Sequence, residues 1–178
     1  NHQGVVCLMA LISYSTIEAV LPWVYEKGLS PLVLVLDGIT DVRNFGAIVR
    51  TAECAGANAV IIPEKGGAQI NADAMKTSAG ALNNVPICRV SSLPSSIDFL
   101  KQSGLQIVAC TEKTEVVIGK LDLTIPTAIV LGSEDQGISV ECLAHADKRG
   151  SIPMVGSIGS LNVSVAAGMV LYEAMSQR

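Results

Sequence analysis

The stretch Leu32-Val-Leu-Val-Leu36, which runs through Asp37-Gly-Ile-Thr-Asp-Val-Arg43 into Asn44-Phe-Gly-Ala-Ile-Val-Arg50, carries a strand, a turn and a helix in order. Five consecutive aliphatic residues read as a strand buried on both faces, as in a parallel sheet. Ala47, Ile48, Ala52 and Ala55 then offer packing positions along a helix expected over residues 44–56. The same alternation recurs. Ala59–Ile62, Pro86–Val90, Gln106–Cys110 and Thr127–Leu131 read as further strands, with helices expected near 71–82 and 95–103. These units predict an α/β fold with a mainly parallel sheet and helices on both faces.

The chain has 178 residues, 49% of them hydrophobic, which suits one compact domain with a large core. Aromatics are scarce (Trp23, three Tyr, two Phe), so Val, Ile, Leu and Ala must fill that core. Residues 1–30 read differently, as a linker and edge element: His2-Gln3-Gly4, an apolar stretch to Ile12, then a helix expected from Ser15 to Lys27. The run from Val5 to Ile12 is too short for a membrane span, and no basic leader precedes it. No membrane association is expected.

A formal charge of −4 argues against a broad nucleic-acid-binding surface, so any RNA contact must be local or supplied elsewhere. The cysteines, at 7, 54, 88, 110 and 142, form no Cys-x-x-Cys pair and read as reduced core thiols of a cytoplasmic protein. His2 and His145 have no neighbours at a recognised ligand spacing, so no metal site is proposed.

Three segments carry candidate chemistry. The first is the strand-to-helix junction already quoted, where Asn44 and Arg50 sit at the carboxyl edge of the sheet, the edge at which open α/β sheets bind ligands. Asn44 reads equally as a helix cap. Arg50 lies about 200° around the helix from Ile48 and should face solvent. The second is Ile129-Val-Leu-Gly-Ser-Glu-Asp-Gln-Gly-Ile-Ser139, a strand ending in a loop bracketed by Gly132 and Gly137; its plain reading is a turn with Ser139 capping the next helix. The third is Ser151-Ile-Pro-Met-Val-Gly-Ser-Ile-Gly-Ser-Leu-Asn-Val-Ser164. Its small residues leave backbone amides and hydroxyls uncovered, and Pro153 fixes the chain where it leaves what reads as an apolar strand. Its plain reading is a Gly/Ser connection capped by Asn162.

Together the three segments resemble the three motifs of the SpoU-type RNA ribose methyltransferases, part of the knotted SPOUT superfamily. Asn44–Arg50 is similar to motif one, Leu131–Gly137 to motif two, and Ile152-Pro-Met through Ser160-Leu-Asn-Val-Ser164 to motif three. The resemblance covers residues 31–178, read as the catalytic domain. Its pattern is nearest to enzymes that methylate a guanosine ribose of large-subunit (23S) ribosomal RNA, with transfer-RNA enzymes as rivals.

The resemblance implies S-adenosylmethionine-dependent transfer of a methyl group to a ribose 2′-hydroxyl, and a C-terminal segment threaded as a deep trefoil knot. It implies cofactor binding at Leu131, Gly132, Ile152, Met154, Ser160 and Leu161, and catalytic roles for Asn44, Arg50, Glu134 and Asn162. A literal base role for Arg50 conflicts with a guanidinium pKa above about 12. Binding a phosphate or a developing alkoxide suits it better, with Glu134 as the alternative proton acceptor.

Relatives of this type usually carry an N-terminal RNA-binding domain. The chain begins at about the linker, so a catalytic-domain fragment is expected. Along the last helix, Val163, Ala166, Ala167, Val170 and Ala174 make one apolar stripe and Val165, Met169 and Tyr172 a second. The second stripe points to a homodimer, with the RNA site at its interface. A catalytically silent RNA-binding module is the main rival. A dinucleotide oxidoreductase would need a glycine-rich phosphate loop after Leu36, which the sequence lacks.

Overall fold

A computed structural model describes residues 12–178. The run from Val5, apart from Ile12, lies outside the described residues, as do His2-Gln3-Gly4 and Cys7. Six strands form one sheet: β1 (Leu32–Asp37), β2 (Ala59–Pro63), β3 (Ile87–Val90), β4 (Gln106–Cys110), β5 (Thr127–Gly132) and β6 (Lys148–Gly150). Their order is β3-β2-β1-β5-β4-β6, and every pairing is parallel. The six helices are α1 (Ile17–Glu26), α2 (Val42–Cys54), α3 (Ala72–Thr77), α4 (Leu93–Gln102), α5 (Val140–His145) and α6 (Val163–Gln177).

The period of two along the strands divides the core. Leu32, Leu34 and Leu36 point to one face, where they meet Phe45, Ile48 and Val49 of α2 and Ala167, Val170 and Leu171 of α6. Val33 and Val35 point to the other, against Ile17, Leu21 and Val24 of α1 and Ile97 and Leu100 of α4. Helices therefore cover both faces, and β1 and β5 at the centre have no wet side. The helix at the head of the described chain does more than edge a linker. It buries Ile17, Val20, Leu21 and Val24, while Ser15 bridges to Cys88 on the outermost strand.

Two short elements depart from expectation. Helix α5 starts at the Ser139 cap, as the plain turn reading of that loop allowed, and strand β6 stands ahead of Pro153, where an apolar strand was expected. Strand β6 is Lys148-Arg149-Gly150 with only Gly150 buried, so Pro153 does not follow an apolar strand. Its place is set by pairing with β4, and Gly150 packs closely there, since an added Cβ would lie 2.6 Å from Ile118 Cδ1 and make that side chain move. The expected 71–82 helix is a six-residue α3 followed by a 3₁₀ turn at Ala81–Asn83. Cys54 is exposed at the end of α2, unlike the buried thiols Cys88 and Cys142, and Cys110 is half-buried.

At the amino edge of the sheet, the Arg178 guanidinium donates to the carbonyls of Ser30 and Pro31, ahead of β1, and of Leu123 and Ile125, ahead of β5. Four carbonyls that end strand-leading loops are thereby satisfied by one planar fork of donors.

Candidate active site

The site lies at the opposite, carboxyl edge. Asp41 caps α2, its Oδ1 accepting from the amides of Arg43 and Asn44 at 2.8 Å each. Asn44 is therefore not the cap, and its side chain is free to reach across the sheet edge. Asp41→Ala is expected to cost about 1 kcal/mol, the usual worth of such a cap, measurable by urea denaturation.

Strand β5 lies beside β1 in a register that pairs Asp37 with Gly132, so the loop after β5 opens next to the start of α2. That loop is tight. Gly137 (φ +70°) and Ser133 exchange backbone hydrogen bonds of 2.9 and 3.1 Å, and Ser139 caps α5 while its amide donates to Asp37 Oδ2. Glu134 is carried at the tip. Its Oε1 accepts from Asn44 Nδ2 (3.1 Å), Asn162 Nδ2 (2.6 Å) and the amide of Val163 (3.1 Å).

Asn162 serves two purposes. Its Oδ1 caps α6 by accepting from Ser164 N and Val165 N, and that orientation turns Nδ2 toward Glu134 and Asn44 Oδ1. Three residues from three distant segments thus form one closed hydrogen-bonded cluster. Arg50 does not join it. Six residues along α2 from Asn44, it is about 240° around the helix and about 9 Å further along. It is exposed, with no hydrogen bond or ion pair among the described residues.

Beside the cluster lies a cavity of about 240 Å³. All six residues singled out for cofactor binding, Leu131, Gly132, Ile152, Met154, Ser160 and Leu161, line it, together with Glu134. Its chemistry fits S-adenosylmethionine. Leu131, Ile152, Leu161 and Val163 offer an apolar wall to an adenine ring, and the carboxylates of Glu112 and Glu134 oppose a sulfonium charge. Lys113 is the cation available to an amino-acid carboxylate.

The stretch Cys110–Lys113 also lines this cavity and was not singled out from sequence. The signal was present, since it follows β4 at the same carboxyl edge. The Cys110 thiol is pushed up to about 11 by burial and then by Glu112, so it stays protonated and inert at neutral pH. Among the described residues no group of three or more His, Cys, Asp or Glu is placed to hold a metal, and no helix is long and apolar enough to cross a membrane.

Comparison with known proteins gives the same picture. The 23S rRNA (guanosine-2'-O-)-methyltransferase RlmB of Photorhabdus laumondii is 40% identical over 99% of the chain, which spans 72% of that protein. Among solved structures, the AdoMet-bound rRNA methyltransferase of Sinorhizobium meliloti superimposes with a TM-score of 0.82 at 27% identity, over 92% of this chain and 61% of that one. The SpoU methyltransferase AviRb of Streptomyces viridochromogenes, in complex with AdoMet, does so at 0.78 and 31% identity, over 83% and 60%. The signature of the SpoU rRNA Methylase family matches residues 31–172, most of the chain. With its cavity and cluster built from the segments that resemble the family's motifs, the chain belongs to the SpoU rRNA methylase family.

Proposed function

We propose that this chain transfers the methyl group of S-adenosylmethionine to the 2′-hydroxyl of an RNA ribose, a guanosine of large-subunit rRNA. The observation that carries the reading is the Asn44–Glu134–Asn162 cluster set beside the cavity that all six expected cofactor residues line. The bound cofactor supplies an already activated methyl on a sulfonium. The chain's own task is to orient a hydroxyl in line with it and to manage one proton.

Glu134 Oε1 is committed to three donors, so Oε2 is the oxygen left to accept the hydroxyl's hydrogen bond and proton. Asn44 and Asn162 hold that carboxylate in place. Arg50, exposed and unengaged among the described residues, binds the phosphate next to the target ribose or the alkoxide as it forms. Backbone groups at Gly132, Ile152 and Leu161 hold the cofactor, with Leu131, Met154 and Ser160 against it.

The C-terminal segment is read as a trefoil knot. In support, Ser151 bonds to Val116 and Ile118 of the segment after β4 before the chain turns back to Glu134 and α6. The enzyme is read as a homodimer with RNA bound at the interface, because Val165, Met169 and Tyr172 of α6 are 51%, 45% and 65% exposed on the side opposite its buried residues Val163, Ala167, Val170 and Ala174. Free thiols and the bacterial relatives favour a cytoplasmic location.

Calorimetric titration with S-adenosylmethionine and S-adenosylhomocysteine, with NAD as control, tests the reading first. Folded protein that binds neither sulfur compound overturns it, and an assay offering rRNA and tRNA separately then decides the substrate. Arg50→Ala is expected to leave cofactor affinity within about twofold and to lower methyl transfer by about 10²-fold. Full transfer by that variant removes Arg50 from the mechanism.

A further inference from the structure

A second cavity, about 420 Å³, lies against the first, on the far side of the loop after β5. It is lined by Gly38–Asp41, Asn44, Gly66 and Ser133–Gln136 with Val163, and it shares Ser133–Gln136 and Val163 with the cofactor cavity. Its volume lies within the range of about 300–1,000 Å³ typical of small-molecule sites. Resting on the methyltransferase reading, we propose that this cavity receives the base of the target nucleotide and that it selects guanine through Asp135.

Placement comes first. A ribose held at Glu134 and Asn44 faces the cofactor cavity across the shared wall, and the space on the other side is this cavity, in whose lining both residues also stand. Charge then decides which part of the nucleotide enters. The lining contains the carboxylates of Asp41, Glu134 and Asp135 and no lysine or arginine, so a phosphate is repelled while a donor-rich ring is welcomed.

The donor pattern selects among bases. Guanine presents N1–H and the 2-amino group side by side, which a carboxylate accepts as a pair. Adenine and cytosine place a ring acceptor beside their amino group, and uracil flanks its N3–H with carbonyls, so each would set lone pairs against a carboxylate. Asp135 makes no hydrogen bond among the described residues and is free for this role. Asp41 is fixed by its two cap bonds through Oδ1, which leaves Oδ2 as a preset second acceptor.

The test uses the full chain saturated with S-adenosylhomocysteine, titrated with guanosine, inosine, adenosine, cytidine and uridine 5′-monophosphates and followed by backbone amide NMR. The guanosine compound should shift the amides of Thr40, Gly66 and Gln136 saturably in the millimolar range. Inosine monophosphate, lacking the 2-amino group, should bind about tenfold more weakly. Thr40→Phe fills the cavity from a residue outside the cofactor lining, and should abolish this binding while S-adenosylhomocysteine affinity stays within about twofold. Asp135→Ala should erase the preference of guanosine over inosine. Equal shifts with all five, no saturable shift with the guanosine compound up to about 20 mM, or normal binding by the Thr40→Phe variant overturns the proposal. Failure of the methyltransferase reading shows separately, as failure of wild-type protein to bind S-adenosylhomocysteine.

Discussion

Glu134→Gln lowers methyl transfer by about 10²-fold with little loss of stability, whereas Glu134→Ala lowers it by about 10³-fold and also loosens the cluster. The contrast follows from the two carboxylate oxygens. Oε1 takes hydrogen bonds from Asn44, Asn162 and the Val163 amide, and a glutamine retains one oxygen to accept them. Its second terminal atom becomes an amide nitrogen, a donor where the reaction requires an acceptor. Alanine removes both oxygens and strands two side-chain amides and a backbone N–H, each worth about 1 kcal/mol in lost hydrogen bonding. Because Glu134 is exposed, solvent replaces part of that loss. Single-turnover rates combined with urea unfolding separate the two effects. A Gln variant at full rate would assign Glu134 to holding the asparagines alone, and the proton acceptor would have to be sought elsewhere.

Gly132→Ala should cost about 3 kcal/mol or more and abolish S-adenosylmethionine binding. An alanine Cβ would stand 2.0 Å from the Gly137 carbonyl carbon and 2.1 Å from the Ile138 amide nitrogen, both backbone atoms that cannot swing aside as a side-chain end would. Either β5 shifts against β1, breaking the Asp37–Gly132 register, or the Ser133–Gly137 loop opens. That loop carries Glu134 and walls both cavities, so each route damages the site. Gly156→Ala is the matched control, since its added Cβ meets nothing within 4 Å, and it should change stability by less than about 0.5 kcal/mol. Thermal unfolding and calorimetric titration of both variants check the pair, and a Gly132 variant that binds cofactor normally would disprove the steric argument.

The sheet was legible because its strands are buried on both faces and read as unbroken aliphatic runs, as Leu32–Leu36 does. Strand β6 was not, because two of its three residues are charged and only the neighbouring β4 holds it in place. Local reasoning about α2 divided in the same way. The angular argument sent Arg50 to solvent, where it stands, but left Asn44 as a possible cap, a role that Asp41 fills. The cluster could not be read from spacing at all. Asn44 and Glu134 are 90 positions apart and meet only because β1 and β5 are sheet neighbours, which no local periodicity encodes. Resemblance to a family joined the three segments. The second cavity had no such guide, since Thr40 was quoted only as part of the turn after the first strand and Gly66 was not singled out from sequence.

The Arg178 contacts carry a consequence for how the molecule can change over time. Its four carbonyls belong to the edge of the sheet where strands begin, and both cavities lie where strands end. Residues so separated, sharing no partners, contribute to stability almost independently. Substitutions around Arg178 can therefore adjust heat tolerance without altering the chemistry, and a change at Thr40, unlike one at its capping neighbour Asp41, can alter what the second cavity accepts with little loss of stability. A lineage adapting to a new growth temperature and a lineage acquiring a new target nucleotide would leave their marks at opposite ends of the same strands.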